Sequence, residues 1–199
     1  MPHDLRQRWH FTAVRAPRAL QPWLTDTASL TARLIAHFPD FHVRLLRQTW
    51  LQPHYDELGA LRMGNRQLAV VRDVLLMSGD IPLVYAHSVM PRFALFHGFR
   101  GLRRQGEKSL GATLFANPQV QRSGLAVRDI GPHHPLHVEA TAAVGSLPDR
   151  LWARRSRFEL GHSAILVTEV FLPAVSTPMR KHGAEFGKIK PAHFDPAPL

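Results

Sequence analysis

The feature of the sequence that most constrains the fold is a pair of β-rich runs that occurs twice. Residues 68–77 and 81–91 are separated by Ser-Gly-Asp, and residues 151–160 and 164–173 are separated by Gly-His-Ser. Strand-like runs joined by a short turn that contains glycine are typical of antiparallel hairpins. We therefore predict two hairpins that lie in one antiparallel sheet.

The remaining segments add helices and further strands. Leu30, Leu34 and Phe38 recur at four-residue intervals before Pro39, which predicts a helix that stops at this proline. Residues 41–51 alternate as a strand does. Further expected elements are a helical region after residue 91 and a strand within 120–130. The sequence thus predicts the α+β class, with a single antiparallel sheet of about six strands and helices that cover one face.

The chain has the length of one domain with short appendages. It has 199 residues, of which 45% are hydrophobic, so a core can form. We expect the domain over residues 21–175, with a basic N-terminal arm at 1–20 and a proline-rich tail at 176–199. Proline and glycine predict a loop at 52–66, which can include a helical turn, and an insertion or a long ordered loop at 131–149.

The charge balance favours an anionic partner. Lysine and arginine number 25 against 15 acidic residues, which gives a formal net charge of +10 at pH 7. Cysteine is absent, which excludes disulfides, thiolate zinc sites, iron–sulfur clusters and cysteine nucleophiles. No apolar run approaches the roughly 20 residues that span a bilayer. We therefore expect a cytoplasmic protein without a transmembrane segment.

The sequence gives no support for a nucleotide cofactor or a metal site. It contains neither a GxGxxG nor a GxxxxGK[S/T] motif, and no GxSxG motif supports serine hydrolysis. His133, His134 and His137 lie close together, but no HExxH motif accompanies them and the segment is irregular. We expect a surface loop at these histidines and no bound metal.

Strand parity isolates two charged residues, because residues two apart share one face of a strand. Arg72 interrupts an apolar face between Val70 and Val74, and Glu169 is the lone charge on its face of the last strand. Burying an unpaired charge costs several kcal/mol. The two residues therefore pair with each other, bind a ligand, or lie on strands whose other face is the buried one.

Arginines at positions 154, 155 and 157 form a dense basic run. Arg154 shares a strand face with Trp152 and Phe158, whereas Arg155 and Arg157 point to the other face. The positive charge is thus divided, which argues against a phosphate-backbone surface and favours solvated positions for Arg155 and Arg157. Arg154, among aromatic neighbours, is a candidate for contact with an anionic ligand.

Five motifs, in their order along the chain, resemble those of the chorismate lyase family. They are VVRDVLL, SGDIPLVYAHSVMP, SLGATLF, LWARRSRFEL and TEVFLPA, and the resemblance extends over about residues 22–174. It implies an antiparallel sheet with helices on one side and a ligand buried under helical flaps. It also implies conversion of chorismate to 4-hydroxybenzoate and pyruvate, the first step of ubiquinone biosynthesis, without a cofactor.

The resemblance assigns roles to four residues. Arg72, the arginine of VVRDV, is expected to bind the ring carboxylate, and Glu169, the acid of TEVFLP, is expected to meet the hydroxyl end of the ligand. The backbone of Leu110 in SLGATLF matches a ligand-contacting position, and Leu30 in SLTARL matches a similar position in a flap. Whether Glu169 transfers a proton or only orients the substrate stays open at this stage.

Two other classes of function compete with a lyase. The predicted architecture also resembles the effector-binding domains of bacterial transcription regulators, which bind small carboxylates without turnover. About 20 residues precede the first predicted helix, too few for a helix-turn-helix module. A nucleic-acid-binding protein is supported by charge alone. We therefore expect small-molecule partners, chorismate and 4-hydroxybenzoate, no nucleic acid, and a monomer.

Overall fold

The computed structural model describes residues 9–13 and 15–176. Within these residues the chain forms one antiparallel sheet of seven strands together with six α-helices. The strands are β1 (Phe41–Leu51), β2 (Ala69–Ser78), β3 (Ile81–Pro91), β4 (Gln121–Arg122), β5 (Ala126–Ile130), β6 (Leu151–Leu160) and β7 (Ser163–Phe171). The helices are α1 (Gln21–Thr25), α2 (Leu30–His37), α3 (Tyr55–Leu61), α4 (Arg92–Phe96), α5 (Leu110–Phe115) and α6 (Pro135–Val144). Short 3-10 helices occupy Arg100–Arg104 and Pro173–Ser176.

The two predicted hairpins are confirmed, and they lie side by side in the sheet. The strand order is β1-β2-β3-β7-β6, and both β4 and β5 pair with β6. Gly79 (φ 51°) and Gly161 (φ 56°) form the hairpin turns in the left-handed region that glycine adopts without strain. The predicted strand within 120–130 is divided into β4 and β5, so the sheet has seven strands where about six were expected.

Helices cover both faces of the sheet, where the sequence and the family resemblance predict one. Val74 of β2 packs in one core cluster with Leu34 of α2. Its neighbour Leu75 points to the opposite face and packs with Leu136 of α6, and α3 covers another part of that second face. Every residue of β2 is buried. A strand without a solvent-facing side needs cover on both faces, which is the physical reason for the difference.

The segment 131–149 is built around a helix, so its prediction as a loop is wrong. His134 caps α6 by accepting a hydrogen bond from the backbone N–H of Leu136 at 3.2 Å, and Pro135 occupies the first turn. Leu136 and Ala140, four residues apart, are buried against the sheet. The prolines and glycines that suggested a loop are therefore the boundaries of a helix. The segment 52–66 contains α3, in the region where the prediction allows a helical turn.

The described residues of the predicted N-terminal arm lie against the sheet. The backbone of His10 pairs with Val127 of β5, and the side chains of Ala13 and Ala16 are buried in the same core cluster as α2. The predicted tail lies outside the described residues except for Ser176. No helix in the described part of the chain combines the length and the apolar character required to cross a bilayer.

Gly98 lies where the segment after α4 meets the turn between β6 and β7. A Cβ atom at this position would lie 2.8 Å from Cβ of Ser163 and 3.0 Å from the carbonyl oxygen of Leu160. We expect Gly98→Ala to lower the free energy of unfolding by about 1–3 kcal/mol, because the backbone must shift to relieve this overlap. Urea denaturation would measure the change.

Gly101→Ala is the matched control for Gly98→Ala. Its added Cβ has open space around it, and alanine favours helical backbone more than glycine does. We expect the control to unfold at the same urea concentration as the unmodified chain or at a slightly higher one. Equal stability of the two variants would contradict the close packing at Gly98.

Candidate functional site

An enclosed chamber lies between one face of the sheet and the helices α2 and α5. Its polar lining consists of Thr31, Arg72, Ser88, Ser109, Arg122 and Glu169. Apolar side chains that include Leu30, Leu110 and Phe115 complete the wall. Only about 30 Å³ of it is open to the centres of water-sized molecules. The chamber is therefore narrow, with room for about two waters.

The two covering helices are joined at the mouth of the chamber. Ser109 caps α5 by accepting a hydrogen bond from the backbone N–H of Ala112 at 3.2 Å, and its hydroxyl lies 2.6 Å from that of Thr31 in α2. Leu30 and Leu110 are the first residues of the two helices and are buried. Backbone N–H groups in a first helical turn have no acceptor within the helix. These N–H groups can therefore donate to a ligand.

Arg72 is a buried cation without a counter-ion in the part of the chain that the structure describes. Its side chain lies on the chamber face of β2, and the residue is 1% exposed. Nη2 donates to the carbonyl oxygens of Gly106 at 2.9 Å and Lys108 at 3.0 Å, whereas Nε has no partner there. Burial lowers the pKa of Arg72 to about 10. A guanidinium held in this way is suited to bind a carboxylate.

Glu169 is paired, but with Arg154 and not with Arg72. Arg154 donates from Nε to Oε2 of Glu169 at 2.5 Å and from Nη1 to the carbonyl oxygens of Trp23 at 2.7 Å and Asp26 at 2.8 Å. Arg154 is 1% exposed and does not line the chamber. The structure thus places this predicted ligand contact behind Glu169, where it orients the carboxylate.

Arg72 and Glu169 lie on the same sheet face with one strand between them. On β3, Arg72 is opposite Ser88 and Glu169 is opposite Ala86. Neighbouring strands are about 4.8 Å apart and residues rise about 3.4 Å each, so the Cα atoms are separated by roughly 10 Å across the sheet and 7 Å along it. This backbone spacing is wide enough for two side chains to bind opposite ends of a small ring once the covering helices separate. Four predicted residues, Leu30, Arg72, Leu110 and Glu169, therefore meet at one chamber.

Arg122 is a chamber residue that the sequence analysis missed. Nε donates to Oγ of Ser156 at 2.9 Å and Nη1 donates to the carbonyl oxygen of Thr27 at 2.8 Å. The guanidinium lies over the rings of Phe115 and Phe158, at 5.3 and 5.4 Å from their centroids. Burial lowers the pKa of Arg122. No motif marks this residue, because its aromatic neighbours come from α5 and β6.

The chain matches the family model described as chorismate lyase over residues 8–181. Similar curated proteins carry the name "Probable chorismate pyruvate-lyase". The one from Nitrosomonas eutropha is 43% identical over 167 residues, which cover 84% of this chain and 94% of the relative. The one from Thiobacillus denitrificans is 42% identical over 174 residues, which cover 87% of this chain and 93% of the relative.

Solved structures with a similar fold include an effector domain and the C-terminal domain of a repressor. The effector domain of PhnF from Mycobacterium smegmatis superposes with a TM-score of 0.54 at 12% identity and covers 75% of this chain and 91% of its own. The C-terminal domain of the histidine utilization repressor from Pseudomonas syringae pv. tomato gives 0.51 at 12% identity, over 74% of this chain and 99% of its own. This likeness concerns the fold alone, whereas the family model and the curated relatives match in sequence over most of the chain. The chain belongs to the chorismate lyase family.

Proposed function

We propose that this protein is a chorismate pyruvate-lyase that converts chorismate to 4-hydroxybenzoate and pyruvate and serves ubiquinone biosynthesis. The observation that carries the proposal is the pair of Arg72 and Glu169, which line one closed chamber on one sheet face with a strand between them. The names of the relatives support the same activity. Family membership makes the protein an enzyme of the lyase class.

Arg72 anchors the ring carboxylate in this proposal. Nη2 is fixed by two backbone carbonyls, and the free Nε provides a donor inside the chamber. Charge-assisted hydrogen bonds to a carboxylate are the stronger kind, and burial strengthens them further. Binding therefore fixes one end of the ring before reaction. Positioning of this kind is a main source of rate acceleration when no cofactor takes part.

Glu169 holds the 4-hydroxyl at the other end of the ring. Arg154 occupies Oε2 of Glu169, and Oε1 is then the atom that accepts the substrate hydroxyl. In the reaction the bond between ring carbon and the enolpyruvyl oxygen breaks, and the neighbouring ring carbon loses its hydrogen as a proton. The ring becomes aromatic, and the enolpyruvate takes up a proton on carbon to become pyruvate. Glu169 is the carboxylate of the chamber and the candidate acceptor of the ring proton.

Arg122 is the candidate partner of the second carboxylate of chorismate, which the enolpyruvyl group carries. It lines the same chamber as Arg72. We expect Arg122→Met to raise KM for chorismate at least about 10-fold, because a charged hydrogen bond contributes about 1.5–3 kcal/mol. The affinity for 4-hydroxybenzoate, which lacks that carboxylate, should change by less than about threefold, near 0.7 kcal/mol.

Steady-state kinetics and product titration would separate these two effects of Arg122→Met. Arg92→Met is the matched control, because Arg92 is exposed and lies outside the chamber. The control should leave both constants unchanged. An equal loss of affinity for chorismate and for 4-hydroxybenzoate in Arg122→Met would assign Arg122 to the chamber wall and not to the second carboxylate.

Helices α2 and α5 act as flaps in this proposal. The chamber admits only about two waters as it stands, so a six-membered ring enters only when the helices separate. The hydroxyl contact of Thr31 and Ser109 would break in that step. Lid motions of this kind exclude water during reaction and often limit turnover through product release.

A direct assay tests the proposed function against the effector-domain alternative. Purified protein, treated with a chelator, is mixed with chorismate without metal or nucleotide, and pyruvate and 4-hydroxybenzoate are quantified. We expect equal amounts of the two products. Tight binding of chorismate without turnover would instead favour a non-catalytic effector domain, and salt-sensitive binding to unrelated nucleic acids without either would favour a nucleic-acid partner.

A further inference from the structure

A second group of ionisable side chains is buried on the sheet face opposite the chamber. We call it the polar cluster; it consists of His54, Glu57, Asp73, His87 and Glu139. Asp73 follows Arg72 in β2 and therefore points to the other face, where His87 of β3 is its cross-strand neighbour. Helix α3 supplies Glu57 and α6 supplies Glu139. None of these residues lines the chamber.

Three atoms of the polar cluster lack hydrogen-bond partners among the described residues although they are buried. They are Nδ1 of His54, Oε1 of Glu57 and Nε2 of His87. The side chains of Glu57 and His87 are each 1% exposed, and Nε2 lies 3.1 Å from Oε1 without the geometry of a hydrogen bond. Ligand atoms of the three residues lie within 4.8 Å of one another. Buried polar atoms without hydrogen-bond partners destabilise a folded protein, so these three atoms indicate that a further atom binds between them.

Neighbouring residues hold two of these side chains in the orientation that a metal ligand needs. Nδ1 of His87 lies 2.7 Å from Oδ1 of Asp73, and Arg47 donates to the other oxygen of Asp73. Oε2 of Glu57 accepts the backbone N–H of His54 at 2.9 Å. The carboxylate on Nδ1 leaves Nε2 of His87 to carry the lone pair, as in carboxylate–histidine–metal arrangements. Oε1 of Glu57 accepts no hydrogen bond from the described residues and faces Nε2 of His87 at 3.1 Å.

We propose that the polar cluster binds one divalent cation of the zinc class through His54, Glu57 and His87, at a structural site separate from the chamber. Two imidazoles and a carboxylate form a set that suits Zn²⁺, with water as the fourth ligand. The rings of His54 and His87 are stacked 4.9 Å apart at 9°, so His54 must rotate its ring to ligate. Its side chain is 18% exposed, so the ring is not fully enclosed by the core.

The charges around the polar cluster favour a cation. Glu57, Asp73 and Glu139 contribute three carboxylates, and Arg47 bonds to Asp73 and Glu139. The competing occupant is a proton on His87, whose ring nitrogens lie 2.7 Å from Oδ1 of Asp73 and 3.1 Å from Oε1 of Glu57.

The test uses the full chain, free of tags and treated with a chelator, with Co²⁺ as a spectroscopic probe and Zn²⁺ as the competitor. We expect one Co²⁺ per chain with visible d–d absorption of tetrahedral intensity, lost on addition of one Zn²⁺, and a rise in melting temperature with Zn²⁺. Both His54→Ala and Glu57→Gln should weaken binding at least about 10-fold. His54→Ala changes a partly exposed side chain, so it still tests the proposed metal site if Glu57→Gln fails to fold.

His162→Ala is the matched control, because His162 is an exposed histidine in the turn between β6 and β7. It should bind Co²⁺ as the unmodified chain does. Absence of the tetrahedral spectrum, or an unchanged spectrum in His54→Ala, would overturn the proposal and assign the polar cluster to a protonated His87. The outcome is independent of the proposed function, because Arg72→Met should weaken ligand binding in the chamber and leave Co²⁺ binding intact.

Discussion

Arg72→Met is expected to weaken binding of 4-hydroxybenzoate by at least about 30-fold, because truncating one partner of a buried charge pair costs about 2–5 kcal/mol. The bound carboxylate would lose its guanidinium in a chamber that has room for only about two waters. In the described part of the chain, Arg122 is the other cation of the chamber lining, and two of its nitrogens already donate to Ser156 and Thr27. Isothermal titration calorimetry would measure the loss directly.

The same variant should retain its stability. The unpaired guanidinium of Arg72 is costly to bury, as the lowered pKa of about 10 indicates. Methionine removes that cost but leaves the carbonyls of Gly106 and Lys108 without their donor, at about 1 kcal/mol each. We expect the two effects to offset each other and the melting temperature to stay within about 4 °C. Loss of affinity would then be due to the missing charge and not to unfolding.

Two further variants complete the test of Arg72. Arg66→Met changes an exposed arginine and should bind 4-hydroxybenzoate normally. Arg72→Lys keeps the charge but lacks the planar fork, so it should recover only part of the affinity. If a folded Arg72→Met binds within about threefold of the unmodified chain, near 0.7 kcal/mol, the carboxylate does not bind at Arg72.

Arg154→Met should produce the largest loss of stability, about 3–5 kcal/mol, because removing one partner of a buried ion pair leaves the other charge uncompensated. Glu169 would lose its cation, and the carbonyl oxygens of Trp23 and Asp26 would lose their donor. Arg154 thus ties the end of α1 to the central strands. Urea denaturation monitored by circular dichroism would give the free energy of unfolding.

A double-mutant cycle isolates the ion pair from the other contacts of Arg154. Glu169→Gln removes the carboxylate charge at nearly constant shape, so the double variant Arg154→Met, Glu169→Gln should be more stable than Arg154→Met alone. A coupling energy of at least about 1 kcal/mol is expected for residues in direct contact. If the changes in free energy of unfolding of the two single variants add without a coupling term, the contribution of Arg154 comes from its hydrogen bonds to backbone carbonyls.

The sequence predicts the hairpins and the two ends of the site because these depend on local patterns. Alternation along β2 and β7 isolates Arg72 and Glu169, and the structure lines one chamber with both. Alternation does not show which charged residue pairs with which. Glu169 is bonded to Arg154 across the adjacent strand β6, a contact that depends on strand order and not on the spacing within either strand.

The rest of the site and fold depends on contacts between distant segments. Arg122 lies in a short irregular stretch, and only the packing of α5 against β6 surrounds it with Phe115 and Phe158. Helix α6 was missed because Pro135 and Gly145 suggested a loop, although they are its boundaries. The second covered face was missed for a related reason: β2 is apolar on both sides except for Arg72, Asp73 and the terminal Ser78, so its pattern does not assign helices to faces.

Adjacent residues of β2 point into two separate buried environments, the chamber and the polar cluster. Arg72 enters the chamber, and the next residue, Asp73, enters the polar cluster on the far side of the same backbone. Inserting or deleting one residue at the start of β2 would therefore exchange the two: a carboxylate would face the incoming anion, and a guanidinium would displace the partner of His87. The strand consequently tolerates substitutions far better than changes of length. An insertion or deletion of one residue would disrupt both buried environments together.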